Sequence, residues 1–598
     1  MHSNVRTIIF LVFICLNPVR ATELVTVYPE KQRFVGSVSE LDRAKYFTIH
    51  ANGKDPFLLD FCHEYNVSFG RGFQGPGAEA KRITGQVGEY PTSGSLSIIS
   101  PAGDPRYVMT DHPRNAYREG MDVEAFGRWV ATYFKNIDSS KRPLWYEPMN
   151  EPFVHAREFY DEPDWDPVAE IRVKTEMSHL FKAAGKYIRA EPALSELRVL
   201  GYGAAFPSFE RKDFQQWKTN MKLFLDIAGE YMDAISYHLY DGINQVGQYN
   251  IRSGSNNDAI MDLVETYSMA KWGVVKPHAI TEYGAVEQSR LFSVIENMQS
   301  IRSQNAMLFG LLEREDRMEI SIPFTVDKAG WHINASTNYM PFKSVLIRPL
   351  NVGVPLNQVK SWVFTDRIHF YKLWKDVKGK RVYFTTSNPD IQAQAFVDKD
   401  KLYVALNNLD DVTRTVKVDI PGFSMKLKQV LSRSLVVYTD KFPVFEEKIL
   451  KKAPDEIVLE HGQTVVLEYT YANNIVFNKT VKERRYYNPQ NVVPIIADSI
   501  LNYKFNGVDT GNGVAWLSMS LGREHHHSKK PKVTFNGHLL TVPDNWKGYD
   551  QKPRFEFFGA IEIPVPVGIL KSENRVTLKF EDNGGHLSSL ILNMAKFE

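Results

Sequence analysis

From about residue 40 to about residue 350, short apolar runs alternate with amphipathic stretches. The runs Tyr46–Ile49, Asn66–Phe69, Pro143–Tyr146, Leu197–Gly201, Ala234–Leu239, His278–Thr281 and Glu319–Pro323 have the length and side-chain types of buried strands. Between them, Val123–Phe134, Pro167–Arg189, Phe214–Ile227, Asp258–Lys271 and Leu291–Arg302 space their apolar residues as helices with one buried face do. Alternating strands and helices build a parallel sheet. A doubly wound sheet and a closed barrel share this pattern. The number of units and the length favour the barrel, which takes about 250 residues or more.

After about residue 385 the helical period stops and alternation with period two takes over. Lys401–Leu406, Thr415–Ile420, Leu435–Thr439 and Thr464–Thr470 read as one set of strands. Gly513–Met519, Lys532–Phe535, Phe555–Ile563 and Asn574–Phe580 read as a second. Short strands at regular spacing predict antiparallel β-sandwiches, and Asn488, Pro489 and Asn491 mark a boundary between the two sets. The expected architecture is an α/β plus all-β chain. A signal segment (1–21) precedes a (β/α)8 TIM barrel (22–388) and two sandwiches (389–488 and 489–598).

Composition narrows the function. The 598 residues are 43% apolar and 24% charged, with 72 basic against 70 acidic side chains. A nearly neutral, ordinary globular chain has no bulk reason to bind nucleic acid or an anionic membrane. Aromatic residues reach 12%, which suits both large β-rich cores and sugar stacking. Arg6 precedes the apolar run Thr7–Leu16, then Pro18 and the small Ala21 follow, the layout of a secretory signal. The run is too short to span a bilayer. Cys15 raises lipoprotein anchoring, but Ile14 stands where a small residue is expected. Removal of this segment leaves Cys62 alone, so an internal disulfide and a multi-cysteine metal site are excluded. In its apolar Phe-Cys-His setting, Cys62 reads as a structural thiol rather than a nucleophile.

Two carboxylates carry the chemistry. The segment from Pro143 ends as a strand at Asn150-Glu151, and Ala279-Ile280-Thr281 leads to Glu282 at another strand end. Barrel enzymes build their sites where strands meet the C-terminal loops. Two opposed carboxyls are what glycosidic cleavage needs, one protonated to release the leaving oxygen and one ionised to attack the anomeric carbon. Glu151 fits the acid/base and Glu282 the nucleophile, with Asn150 beside the neighbouring sugar hydroxyl.

These residues resemble the clan A glycoside hydrolases, retaining (β/α)8 enzymes with glutamates after strands four and seven. The fuller strings WYEPMNEPFVHA (Trp145–Ala156), SYHLYDG (Ser236–Gly242) and ITEYGA (Ile280–Ala285) resemble glycoside hydrolase family 86, the β-agarases and β-porphyranases. That family also follows its barrel with two β-sandwiches. The resemblance implies an endo-acting enzyme on red-algal galactans, which alternate β-linked D-galactose with an L-sugar. That sugar is 3,6-anhydro-L-galactose in agarose and L-galactose-6-sulfate in porphyran. The match leans toward porphyran. It implies a sulfated or neutral galactan as partner, with no cofactor and no metal. The chain is expected to be a monomer with no membrane span, and its N-terminal signal implies a secreted or periplasmic location. A β-agarase, a hydrolase of another β-glycan such as a xylosidase or mannanase, and a noncatalytic glycan-binding protein are the alternatives.

Other residues add less. His238 and Tyr240, at the end of a predicted strand, are candidates to touch sugar or nucleophile, and Trp331 is a candidate stacking platform. Trp145, earlier in its strand, reads as core. Gly70-Arg-Gly-Phe-Gln-Gly75 matches a dinucleotide-binding fingerprint, but no clear helix is predicted after it and no acidic partner is well placed. A glycine-rich loop at the mouth is the better reading, with Arg71 reaching a hydroxyl or sulfate and His63 and Glu64 nearby. Histidines 525–527 read as a solvated loop, and Lys375–Arg381 as a charged turn. The sandwiches are expected to buttress the barrel.

Overall fold

The computed structural model describes residues 22–91, 104–161, 164–241, 252–285, 292–548, 551 and 554–598. The expected signal segment, residues 1–21, and Gly242 lie outside them. The α/β half is a (β/α)8 barrel. Its strands are β1 (Thr48–Ile49), β2 (Ser68–Phe69, continued by Arg71–Phe73), β3 (Val108–Thr110), β4 (Trp145–Glu147), β5 (Arg198–Ala204), β6 (Ala234–Asp241), β7 (His278–Ala285) and β8 (Met318–Pro323). Neighbours pair in parallel from β2 to β8, β1 pairs with β2, and a parallel bridge from His50 to Val326 closes the ring.

Val108, Trp145, Leu200, Ala234, Ala279 and Ile320, near the strand starts, form an apolar floor inside the barrel. Helices Val123–Lys135, Pro167–Arg189 and Ser255–Trp272 agree with the sequence pattern to within a turn, whereas Val294–Leu312 runs well past the expected end at Arg302. The pattern missed β3, a three-residue strand too short to show a period. It also missed helices Pro56–Tyr65 and Pro76–Thr84, whose starts are marked by Pro at the first helical position. A helix does therefore open after the glycine-rich loop.

The all-β half holds two sandwiches with separate cores, one around Val404, Leu467 and Val382, the other around Leu517, Ile561 and Leu590. The N-terminal strand Glu23–Val35 belongs to this half. Within it, Val25–Tyr28 pair antiparallel with residues 383–386 and Lys31–Val35 run parallel to Lys479–Glu483, so one strand ties both sandwiches together.

The sandwiches also grip the barrel through buried charge. Glu265, on the helix between β6 and β7, accepts from Arg314 (2.6 Å), Arg317 (2.9 Å) and Tyr487 (2.6 Å) and lies 3.0 Å from His278 Nε2. Arg314 and Arg317 belong to the barrel, whereas Tyr487 ends the strand that leads into the second sandwich. Among the described residues no helix is long and apolar enough to cross a membrane.

Candidate active site

Side chains alternate along a strand, so every second residue of the barrel points inward. Above the apolar floor the inward layer turns polar: Arg71 on β2, Glu147 on β4, Ser236 on β6 and Thr281 on β7, all fully buried. The next step up β6 brings in His238. On β7 simple alternation would turn Glu282 away. Instead Ser236 pairs with Ala279 and His238 with Glu282, so β7 spends one residue more than β6 over this stretch. Such an irregularity re-aims a side chain, and here Thr281 and Glu282 both reach the interior.

Glu282 is held from several sides. Arg71 Nη1 donates to Oε1 at 2.6 Å and the Tyr240 hydroxyl donates to Oε2 at 2.5 Å. His50 Nε2 lies 3.6 Å from Oε1, and His238 Nδ1 3.4 Å from Oε2. Burial opposes ionisation of Glu282, but the positive charge at His238, the nearby His50 ring and the Arg71 guanidinium outweigh it. They hold the carboxyl well below its ordinary range. Arg71 donates with its other nitrogen to Glu147 Oε2. Glu147 Oε1 accepts from Ser236 Oγ (2.5 Å) and Thr281 Oγ1 (3.1 Å), so its charge is compensated within this polar layer.

Glu151 faces this group from the loop after β4. Its Oε1 lies 2.6 Å from His238 Nδ1, and the carboxylate oxygens of Glu151 and Glu282 come within 4.8 Å. Glu151 itself takes a left-handed φ of 47°, and Asn150 N is tied to Asp111 O at 2.8 Å, which fixes the turn. Asn150 Oδ1 is buried without a partner in the protein, which fits an acceptor for a sugar hydroxyl. His238 Nε2 meets Thr281 Oγ1 at 3.1 Å. Burial works against a charged imidazole there, but the carboxylates of Glu282 and Glu151 prevail and the His238 pKa is raised.

The structure thus brings together Glu151, Glu282, Asn150, His238, Tyr240 and Arg71. Arg71 is a correction: it is wholly buried under Glu282, with no exposed fork left for a sulfate. His63 and Glu64 are also placed differently from expectation. They sit exposed in the last turn of helix Pro56–Tyr65, which has returned to the N-terminal side of the barrel. Trp331 lies 72% exposed beyond β8. It packs on Phe342, and Phe342, Phe324 and Tyr240 follow in contact down to Glu282. Exposed Phe73 and Phe206 stand at the ends of β2 and β5. Trp145 is core, as expected.

The glycine-rich loop is filled from within. The Asp111 carboxylate accepts from the backbone N–H of Gly75, Gly77 and Ala78 at the start of helix Pro76–Thr84, where a phosphate would have to bind. A Cβ on Gly75 would come 2.5 Å from that carboxylate. Burial pushes the Asp111 carboxyl up to about 6, against the pull of these hydrogen bonds. Burial likewise pushes the Cys62 thiol up to about 12, which fits a structural role.

Among the described residues, two groups carry enough donors for a metal, Glu151–His238–Glu282 and the surface set Glu524–His526–His527. In the first, the same atoms are committed to one another by the contacts above.

Sequence reasoning missed Glu147, His50, Thr281 and Asp111. Glu147 had a visible signal, a charge inside an otherwise apolar strand, which needs a buried cation. The other three depend on which strands become neighbours.

The chain matches known proteins along most of its length. Residues 390–491 match a family described as "Porphyranase beta-sandwich domain 1", and residues 502–595 one described as "beta porphyranase A C-terminal". It is 42% identical to Beta-porphyranase A of Phocaeicola plebeius, over 95% of this chain and 77% of that protein. It is 33% identical to Funoran endo-beta-hydrolase of Wenyingzhuangia aestuarii, over 96% and 83%. The fold is similar to the solved structure of a beta-porphyranase of glycoside hydrolase family 86 from the human gut bacterium Bacteroides plebeius. The TM-score is 0.89 at 40% identity, covering 96% of this chain and all of the other.

Proposed function

The chain belongs to glycoside hydrolase family 86, and from that premise we propose an endo-acting, retaining hydrolase of the β-1,4 galactosidic linkages in porphyran. One observation carries the mechanism: two carboxylates within 4.8 Å, at the mouth ends of β4 and β7. Retaining enzymes set their carboxyls about 5–5.5 Å apart, close enough for direct attack, whereas inverting enzymes leave room for a water.

In this mechanism Glu282, ionised by its cationic neighbours, attacks the anomeric carbon while Glu151 protonates the departing oxygen. A galactosyl ester forms on Glu282. Glu151, now a carboxylate, takes a proton from water, and that water releases the sugar with its β configuration restored. Arg71 and Tyr240 hold the Glu282 carboxylate in one orientation. His238 spans the two glutamates and favours the ionised nucleophile. Asn150 accepts from the sugar hydroxyl next to the anomeric carbon. Trp331, Phe73 and Phe206 offer apolar faces to neighbouring rings.

Porphyran is favoured by the relative named beta-porphyranase A, which aligns with nearly the whole chain. Beta-agarase AgaO of Microbulbifer thermotolerans aligns with 62% of the chain at 30% identity, so agarose is the second reading. Residues 1–21 would export the enzyme to the periplasm or beyond, where polymer is met. The test is reducing-end release from porphyran and agarose by wild type and Glu282→Ala. Cleavage of porphyran, abolished in the variant, is the expected result. Cleavage of agarose alone overturns the substrate, and full activity of the variant overturns the nucleophile.

A further inference from the structure

We infer that the second sandwich supplies part of the substrate cleft, a remote subsite made by Phe555 with Arg211 of the barrel, which takes a sulfated galactan segment beyond the catalytic centre. This rests on the polysaccharide-hydrolase reading above and adds a residue outside the barrel to the binding surface.

The loop after β5 starts at the mouth, where Phe206 lies 6.5 Å from Tyr240, the residue that bonds Glu282. Four residues later the same loop meets the second sandwich. Glu210 and Arg554 form a buried ion pair, each about 3–4% exposed. The next residue on each side, Arg211 and Phe555, comes out to solvent, with the guanidinium 5.4 Å above the ring. Phe555 remains 68% exposed, among the most exposed aromatic side chains described. A buried anchor followed at once by an exposed cation–aromatic pair is a construction that presents that pair.

The backbone is forced to make this contact. Lys212, Asp213 and Phe214 all have φ between 52° and 61°, a left-handed run that L residues seldom adopt. Tertiary contacts hold it. Phe214 is buried against Phe558 and His586, and Asp213 Oδ1 lies 2.8 Å from His586 Nδ1. The strained turn therefore locks the β5 loop onto the sandwich.

The chemistry suits the substrate class. An aromatic face stacks on the apolar face of galactose, and an exposed guanidinium offers a charged fork to a sulfate. Five residues of chain reach at most about 18 Å, a few sugar rings from Phe206. A short oligosaccharide held at the catalytic centre would miss this site and a polymer would cross it.

The test compares wild type, Phe555→Ala and Phe555→Trp on porphyran polymer and on the shortest porphyran oligosaccharide the enzyme cleaves. Phe555→Ala should raise KM on polymer about three- to tenfold with kcat unchanged, and leave kcat/KM on the short substrate within twofold. Phe555→Trp should restore polymer KM. Arg211→Ala should raise polymer KM most at low ionic strength, where an exposed charge is least screened. Unchanged polymer KM in Phe555→Ala, or equal losses on both substrates, overturns this inference alone. A wild type that cleaves neither porphyran nor agarose overturns it together with the function on which it rests.

Discussion

His238 on β6 stands opposite Glu282 on β7, Nδ1 3.4 Å from Oε2, because β7 carries an extra residue between this pair and the pair Ser236–Ala279 below it. The bulge converts an ordinary alternating strand into one that sends Thr281 and Glu282 into the same interior. Thr281 then completes the hydrogen bonding of Glu147, and Glu282 becomes the acceptor for Arg71, Tyr240 and the His238 charge. A pH consequence follows. Replacing His238 with Phe removes positive charge beside Glu282, so its carboxyl titrates at higher pH. The protonated, inactive form then persists further up, and the acid limb of kcat/KM moves to higher pH. An unmoved acid limb would contradict the electrostatic role of His238.

Arg71 bridges two buried carboxylates, Glu147 and Glu282. Arg71→Met leaves both without their shared cation, at a cost of about 3–5 kcal/mol in stability. Activity should fall by at least about 100-fold, since the nucleophile loses its orientation. Arg71→Lys, with one compact head, should recover stability better than activity. Urea unfolding and kcat measured on the same samples check both.

Asp111 ties three backbone N–H groups at the start of helix Pro76–Thr84. Asp111→Ala should cost about 1–2 kcal/mol, as loss of a helix cap does. Because its carboxyl is pushed up to about 6, the folded protein holds this proton more tightly than the unfolded chain. The stability of wild type relative to Asp111→Asn should therefore fall as pH rises from about 4 to about 6. Denaturation midpoints at several pH values read this out.

Glu265 locks the barrel to the strand entering the second sandwich. Burial opposes its charge, but Arg317, Arg485 and Arg314 hold its carboxyl well below the ordinary range. Its stabilisation is complete above the ordinary carboxylate range and is lost as pH falls toward the depressed folded value. Glu265→Ala should destabilise by about 3–5 kcal/mol, and the remaining stability should vary less with acid. Calorimetry across acid pH checks the direction.

The barrel is legible because its helices are long, and Ala234-Ile235 and Ala279-Ile280 are apolar stretches within their strands. Glu151 and Glu282 are legible as a pair of carboxylates at two strand ends, within strings that resemble one family. The short strand Val108–Thr110 was not legible, and with it went Asp111. Arg71 was misplaced because sequence gives no sign that residue 71 continues the strand inward rather than opening the loop. The N-terminal strand Glu23–Val35 pairs with strands hundreds of residues away, and no local pattern reports that.

The central claim is a double displacement at Glu151 and Glu282. The measurement that tests it most directly is the anomeric configuration of the first product formed from porphyran, followed by proton NMR before mutarotation. The account predicts the β anomer first, with α appearing only later by mutarotation. An α anomer at the earliest times would mean inversion, a water between the carboxylates, and a different role for Glu282.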